Sequence, residues 1–364
     1  MTPLPPIPAR WCWVRAEEIA DNTPHSLVIG PFGSDLKTTD FTNQGVPVVF
    51  VKNVKPNRFV DGPNPRFVSS KKARKLSAHA VHSGDLVITK MGQPPCVAAV
   101  YPENHPTGIV TADIIKFAIH PKTADRKYIS YCLNSQITKR QIARFTFGVT
   151  RPKVTLRDFR NLQIPLPPLP EQRRIAAILD KANAIRRKRH WAIRLTEELL
   201  RSAFLEMFGD PVTNPMGWET EPLGELAQFV GGGTPSRKEP RFFDGDICWA
   251  TAKDIKTELL EDSEEHITEE AIQRSATKLV TPGTILIVVK SKVLLHRLPV
   301  TIAMVPVCFG QDLKGIVPDP SVPVTYLARH LRVGQQALLR RARGVNTEGL
   351  TLEHLRAYQV MVPS

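Results

Sequence analysis

The chain has 364 residues, and at roughly 100–200 residues per domain that length predicts two domains, three at most. Apolar residues make up 42% and charged residues 23%, enough for true cores, while the longest aliphatic run, Ile285–Val289, is far too short for a membrane span of about 18 residues. The net charge of +14 is uneven: +12 on residues 1–170, +4 on 171–208 and −2 on 209–364, a balance that suggests a polyanion, nucleic acid first, as partner of the N-terminal part.

The opening MTPLPPIPARWCW has no charged segment followed by an apolar one, so a secretory signal is not expected and the cytoplasm is the expected compartment. Proline, at 32 residues near 9% against a usual level of about 5%, points to strands and punctuated turns. After Trp11 and Ile19-Ala20, the first strand signals are the alternating run behind Gly45 and the run Leu86–Thr89 fed by the Ser83-Gly-Asp turn. A helix is predicted over Arg126–Phe145, then a short helix and an exit strand within Leu156–Pro167. Next, Glu171–Phe208 runs without glycine or proline and predicts one helix of about 57 Å. Ile175, Ile178, Leu179, Ala182, Ile185, Ala192, Leu199 and Ala203 recur along it at spacings of three, four and seven, an apolar stripe interrupted by Arg186–Arg189 that needs a partner helix.

From Trp218 the pattern repeats with a period of about 200 residues. Trp218 and Leu226-Ala227 repeat Trp11 and Ile19-Ala20, the segment Gly245–Lys256 repeats Gly45–Lys55, and Pro282–Lys290 repeats Ser83–Lys90. Asp312 pairs with Asp113, Tyr326 with Tyr128, a helix over Val324–Arg341 with Arg126–Phe145, and Leu352–Pro363 matches Leu156–Pro167 without a gap. The expected class is α+β: two similar domains in tandem, 1–170 and 209–364, joined by a spacer helix over 171–208.

Chemistry-bearing motifs are scarce. There is no G-x-x-x-x-G-K-[ST] phosphate loop, no Asn-Pro-Pro-Tyr or Asp-Pro-Pro-Tyr, and Gly231–Ser236 precedes no obvious helix that could aim its N-terminus at a phosphate. His79-x-x-His82 lacks a third ligand, and the five dispersed cysteines form no C-x-x-C pair, so reduced structural thiols and no metal are expected. Neither a triad nor a paired-carboxylate site can be assembled, and no catalytic residue is expected. Cations beside groups able to reach base edges are plentiful and occur at matching places. In the first copy they are Lys37, Thr38, Thr39, Lys90, Gln93, and Arg144, Thr150, Arg151 and Lys153 around Gly148. In the second they are Thr234, Ser236, Arg237, Lys238, Lys290, Lys292, and Arg343, Asn346 and Thr347 around Gly344.

The phrase Ile164-Pro-Leu-Pro-Pro-Leu-Pro-Glu-Gln-Arg-Arg-Ile-Ala-Ala-Ile-Leu179 resembles the start of the central helix in specificity subunits of type I DNA restriction-modification systems, and Gly30–Leu36, Gly231–Ser236 and Asp246–Ile255 resemble elements of their target-recognition domains. The resemblance implies two recognition domains, each reading half of a split sequence in double-stranded DNA. It also implies two methyltransferase subunits docked on the spacer around Glu171, Gln172, Ile175, Ile178, Leu179, Ala182, Ile185 and Leu199, joined by restriction subunits. S-adenosylmethionine, ATP and magnesium would be needed only by those partners. The family pattern has a second long helix after the second recognition domain, where this sequence reaches Pro363-Ser364. Self-association through the spacer, a separate helix or the methyltransferase could cover the stripe, and a truncated scaffold or decoy that does not read DNA is the alternative reading.

Overall fold

The computed structural model describes residues 5–146, 152–342 and 349–363. They form two compact units, Met1–Lys188 and Arg189–Ser364, each built of mixed sheets and short helices. In the first, the strands Ala98–Val100, Leu86–Thr89, Ile114–Phe117 and Leu27–Ile29 lie side by side in that order, all antiparallel. In the second, Val300–Ala303, Ile285–Val288, Leu313–Pro318 and Ala227–Gly231 repeat the order, with Leu259–Leu260 added at one edge.

The central strand of each sheet explains the sequence run that carries it. Leu86 and Ile88 enter one core with Ile115, Phe117 and Phe159, while Val87 enters another with Ile114 and Val110. Ile285 and Ile287 likewise join Leu327, Leu331 and Leu355, whereas Leu286 and Val288 join Val307 and Phe309. A strand covered on both faces needs apolar residues at every position, so the run is continuous instead of alternating. The turn glycines that feed these strands, Gly84 and Gly283, share φ of +90°, a conformation that a side chain would strain.

A second sheet repeats as well. Val46–Val49 runs parallel to Gly108–Val110 and antiparallel to Phe67–Val68, as Ile247–Ala250 does to Val307–Phe309 and Glu265–Ile267. Entry and exit strands then close each unit: Cys12–Arg15 pairs with Gln163–Leu166, and Glu219–Pro222 with Gln359–Val362. The exit strands follow the short helices Leu156–Arg160 and Leu352–Arg356, capped alike by Thr155 and Thr351, whose hydroxyls accept from the third helical N–H. The α+β tandem is therefore present at the level of strand order, caps and register.

The helices predicted over Arg126–Phe145 and Val324–Arg341 are each broken in two. The first is Arg126–Leu133 followed by Gln136–Thr146, because the Asn134 amide leaves the helix to donate to the Ala98 carbonyl at 2.8 Å and to accept from the Ala98 N–H at 3.1 Å. The second is Val324–Val333 followed by Gln335–Arg341, with Gly334 between them where a Cβ would fall 2.0 Å from the Tyr358 hydroxyl. The spacer is one helix of 40 residues, Leu169–Phe208, about 60 Å long. It is shared between the units, its residues to Lys188 associating with the first and those from Arg189 with the second.

Candidate nucleic-acid interface

Each central strand delivers its last residues to a loop held by the same three hydrogen-bonded segments. In the first unit the Lys90 N–H donates to the Asp113 carbonyl at 2.7 Å, and the Lys90 carbonyl accepts from the Val154 N–H at 2.9 Å. Met91 then bridges Lys153, which places Lys90, Gln93 and Lys153 on one loop pair, Lys90 half-buried and the other two exposed. In the second unit the Val289 N–H donates to the Asp312 carbonyl at 2.8 Å, the Leu350 N–H donates to the Val289 carbonyl at 2.7 Å, and Lys290 bridges Gly349. The sequence pairing of Asp113 with Asp312 is thus a pairing of backbone roles, whereas that of Lys90 with Lys290 is corrected by one residue: Val289 takes the backbone role of Lys90, and Lys290 stands where Met91 does.

The remaining candidates distribute around these loops. Lys37, Thr38 and Thr39 are exposed on a single 3₁₀ turn, Thr38–Asp40, where the Lys37 N–H donates to Asp40 at 2.8 Å. That bond, with the Lys72 ion pair at 2.9 Å, holds the Asp40 carboxyl below its usual range. Gly33 and Leu36 before this turn, Phe41 after it and Asp113, whose carbonyl accepts from the Lys90 N–H, line one hollow of about 400 Å³. Phe32, on the same loop and 78% exposed, was not singled out by the sequence; an aromatic face at a nucleic-acid surface can stack on a base. Arg144 is exposed near the end of Gln136–Thr146. Thr150, Arg151, Arg343, Asn346 and Thr347 lie outside the described residues, as do Gly148 and Gly344.

In the second unit Thr234, Ser236, Lys238, Lys290 and Lys292 are exposed, and Lys292 opens a turn capped by Ser291. Arg237 departs from the expected free cation. Its guanidinium donates twice to Glu265 and lies 4.2 Å from the Phe243 ring centre and 5.1 Å from that of Trp249, so it braces its own unit. His79 and His82 have local partners, the Ile29 carbonyl and Asp85.

On the spacer the expected partner-facing set divides. Ile178, Ala182, Ile185 and Leu199 are exposed, with Ile185 and Leu199 each at 68%, and Leu179 is at the margin of exposure. Gln172 is a correction: it is fully buried, accepts from the Asp125 N–H at 2.8 Å and donates to the carbonyls of Pro167 at 2.8 Å and Thr123 at 3.3 Å. A polar side chain that satisfies three backbone groups of the first unit anchors the helix and offers nothing to a partner. Glu171 pairs with Arg174 at 2.8 Å, and Ile175 packs against the first unit's core. Asp180 adds a side-chain link: burial alone would raise its pKa, but bonds from Lys127 and Tyr131, both 2.7 Å, hold it below its usual range. At the other end Phe204 is buried and stacks on Tyr326 at 5.8 Å. No helix among the described residues is long and apolar enough to cross a membrane.

The family described as "Type I restriction modification DNA specificity domain" matches residues 36–191 and again 215–364. The chain is 32% identical over 252 residues to the Type I restriction enzyme EcoR124I/EcoR124II specificity subunit of Escherichia coli, a match covering 65% of this chain and 59% of that protein. It is 31% identical over 119 residues to the Type I restriction enzyme MjaIX specificity subunit of Methanocaldococcus jannaschii, covering 31% of this chain and 26% of that one. The chain thus spans about three fifths of the first relative and a quarter of the second. In fold it is similar to the S subunit of a Type-I restriction-modification system from M. genitalium, with a TM-score of 0.58 and 17% identity, over 99% of this chain and 87% of that one.

Proposed function

Since the chain belongs to the type I restriction modification DNA specificity family, carrying its domain twice, we propose that it is a DNA sequence-specificity subunit whose two units each read one part of a bipartite duplex target. The observation that carries this reading is the repeated loop pair. Both units set a lysine just past the buried central strand, Lys90 in the first and, one position further along, Lys290 in the second, and tie that strand end through the bridges Met91 to Lys153 and Lys290 to Gly349 to the segment that follows a loop rich in cations and amides. A rigid strand end fixes the register of a loop, and loops so fixed can hold phosphate contacts and base-edge contacts at once.

In this reading the chain performs no chemistry. S-adenosylmethionine, ATP and magnesium serve methyltransferase and restriction subunits, and the exposed side of Leu169–Phe208 receives two methyltransferase subunits or a second copy of this chain. The test is to reconstitute the chain with a methyltransferase subunit, expose random-sequence duplex DNA, and sequence the methylated bases. A two-part consensus that changes when Lys90 and Gln93, or separately Lys290 and Lys292, are replaced is the expected result. Methylation without a consensus, or a consensus indifferent to both replacements, would restore the scaffold reading.

A further inference from the structure

Away from these loops, the second unit gathers three side chains with the chemistry of a metal site, against the expectation drawn from cysteine spacing. Pairing of Ile247–Ala250 with Glu265–Ile267 sets Cys248 directly opposite His266, and the segment between the strands brings Asp262 to both. The Cys248 Sγ lies 3.5 Å from Asp262 Oδ1 and 3.7 Å from His266 Nε2, and those two atoms are 2.9 Å apart. Zinc bonded to sulfur at about 2.3 Å and to nitrogen or oxygen at about 2.0–2.1 Å spaces tetrahedral ligand atoms roughly 3.3–3.6 Å apart. The observed triangle is therefore close to one face of that tetrahedron, with shifts of a few tenths of an ångström needed.

Donor chemistry and support point the same way. A thiolate with an imidazole and one carboxylate favours zinc over the hard cations magnesium and calcium, which prefer all-oxygen sets. Asp262 Oδ1 accepts from the Ser263 N–H at 2.8 Å, and the Ser263 hydroxyl accepts from the Trp249 N–H at 2.9 Å and donates to the Glu265 carbonyl at 2.7 Å, tying the backbone around the three donors. Cys248 is buried while Asp262 is exposed, so one side of the triangle faces solvent. In the first unit the same register positions hold Pro47 and Phe67, which donate nothing.

We propose that Cys248, Asp262 and His266 bind one zinc ion, with water completing the tetrahedron. On binding, the Cys248 S–H bond breaks and its proton passes to solvent, and the proton by which His266 Nε2 is bonded to Asp262 leaves Nε2, the neutral ring keeping its one proton on Nδ1; thiolate sulfur, carboxylate oxygen and the freed Nε2 lone pair then form the metal bonds, with no change of oxidation state. The ion fastens the hairpin whose Glu265 holds Arg237, so it stiffens the ground beside the exposed Thr234–Lys238 loop. This inference stands on the local geometry and not on the DNA reading.

The experiment uses the full chain, free of affinity histidines, reduced, stripped with chelator and titrated with Co²⁺ and then Zn²⁺. One equivalent of Co²⁺ with a thiolate charge-transfer band, displaced by Zn²⁺, is expected, together with a rise in Tm on adding Zn²⁺. Cys248→Ser should lose the band, His266→Asn and Asp262→Asn should weaken binding at least about tenfold, and Cys12→Ser should behave as the parent. Asp262 is exposed, so its variant keeps the fold, and metal-free Tm values verify this for all three. A parent chain that retains no metal, or variants that bind as the parent does, would show the cluster to be hydrogen-bonded only and overturn the proposal.

Discussion

Two tyrosines at equivalent positions close the two units by the same bond: the Tyr128 hydroxyl donates to the Pro165 carbonyl at 2.6 Å, and that of Tyr326 to the Met361 carbonyl at 2.8 Å. What surrounds them differs. Beside Tyr326 the buried His330 accepts the Met361 N–H on Nε2 at 3.1 Å and meets the Tyr358 hydroxyl through Nδ1 at 3.2 Å. Its packed neighbours, Phe204, Tyr326 and Tyr358, bring no carboxylate, and burial lowers its pKa from 6.5 to about 4. Protonation would also aim an Nε2–H at the Met361 N–H. Because the folded value lies below the unfolded one, the unfolded chain binds the extra proton between about pH 6.5 and 4, and stability falls as pH drops through that window. Between about pH 7.5 and 5 the second unit should lose about 2 kcal/mol through this group. Urea titrations of the parent and of His330→Gln test this: the parent should lose more stability on acidification, and parallel losses would exclude His330 as the cause.

At the scale of elements, the spacer helix is fastened at its start by Gln172 and at its end by Phe204 and Phe208, which both pack on Tyr326. Gln172→Leu would strand the Asp125 N–H and the Pro167 carbonyl in a buried place, a loss of about 2–4 kcal/mol, seen as a lower urea midpoint for the first unit with the second unmoved. Along the exposed stretch the outcome should be the reverse. Changing Ile178, Ala182 and Ile185 to Asp touches no core and should shift stability by less than about 1 kcal/mol, yet abolish capture of a methyltransferase subunit or self-association, because carboxylates left unpaired in a helix seam are costly. Unchanged capture together with unchanged mass in solution would remove this face from assembly. The same helix shows where sequence is legible. Its extent, apolar period and flanking prolines are local properties, and so are the duplicated strands and caps. Gln172 sits among charged and small residues as any exposed glutamine would, and only the return of Thr123–Asp125 beside it makes it an anchor. Cys248 and His266 are 18 residues apart and become opposite only through strand register, while Arg237 looks like a phosphate-binding cation until Glu265 is placed against it.

Over the whole molecule the charge follows the two units more sharply than the sequence segments suggested. Residues 1–188 carry a net +16 and residues 189–364 a net −2, since the basic stretch to Lys188 associates with the first unit. If both units bind one duplex, sequence-independent affinity should come mainly from the first. Replacing Lys37, Arg144, Arg151 and Lys153 by Ala should flatten the dependence of log K on log salt more than replacing Lys238, Lys290, Lys292 and Arg343, with about 0.9 lost from the slope per phosphate contact removed. Arg237 is left out of the second set because its guanidinium is already engaged by Glu265 and two rings, so its loss would loosen the unit and confuse the slope with folding. Both sets remove four positive charges, so a change in net charge alone would act on them equally. A steeper residual slope for the second set therefore reports where phosphates are held, and equal slopes measured on a fixed duplex across a salt series would mean that the second unit holds as many phosphates as the first despite its neutral balance.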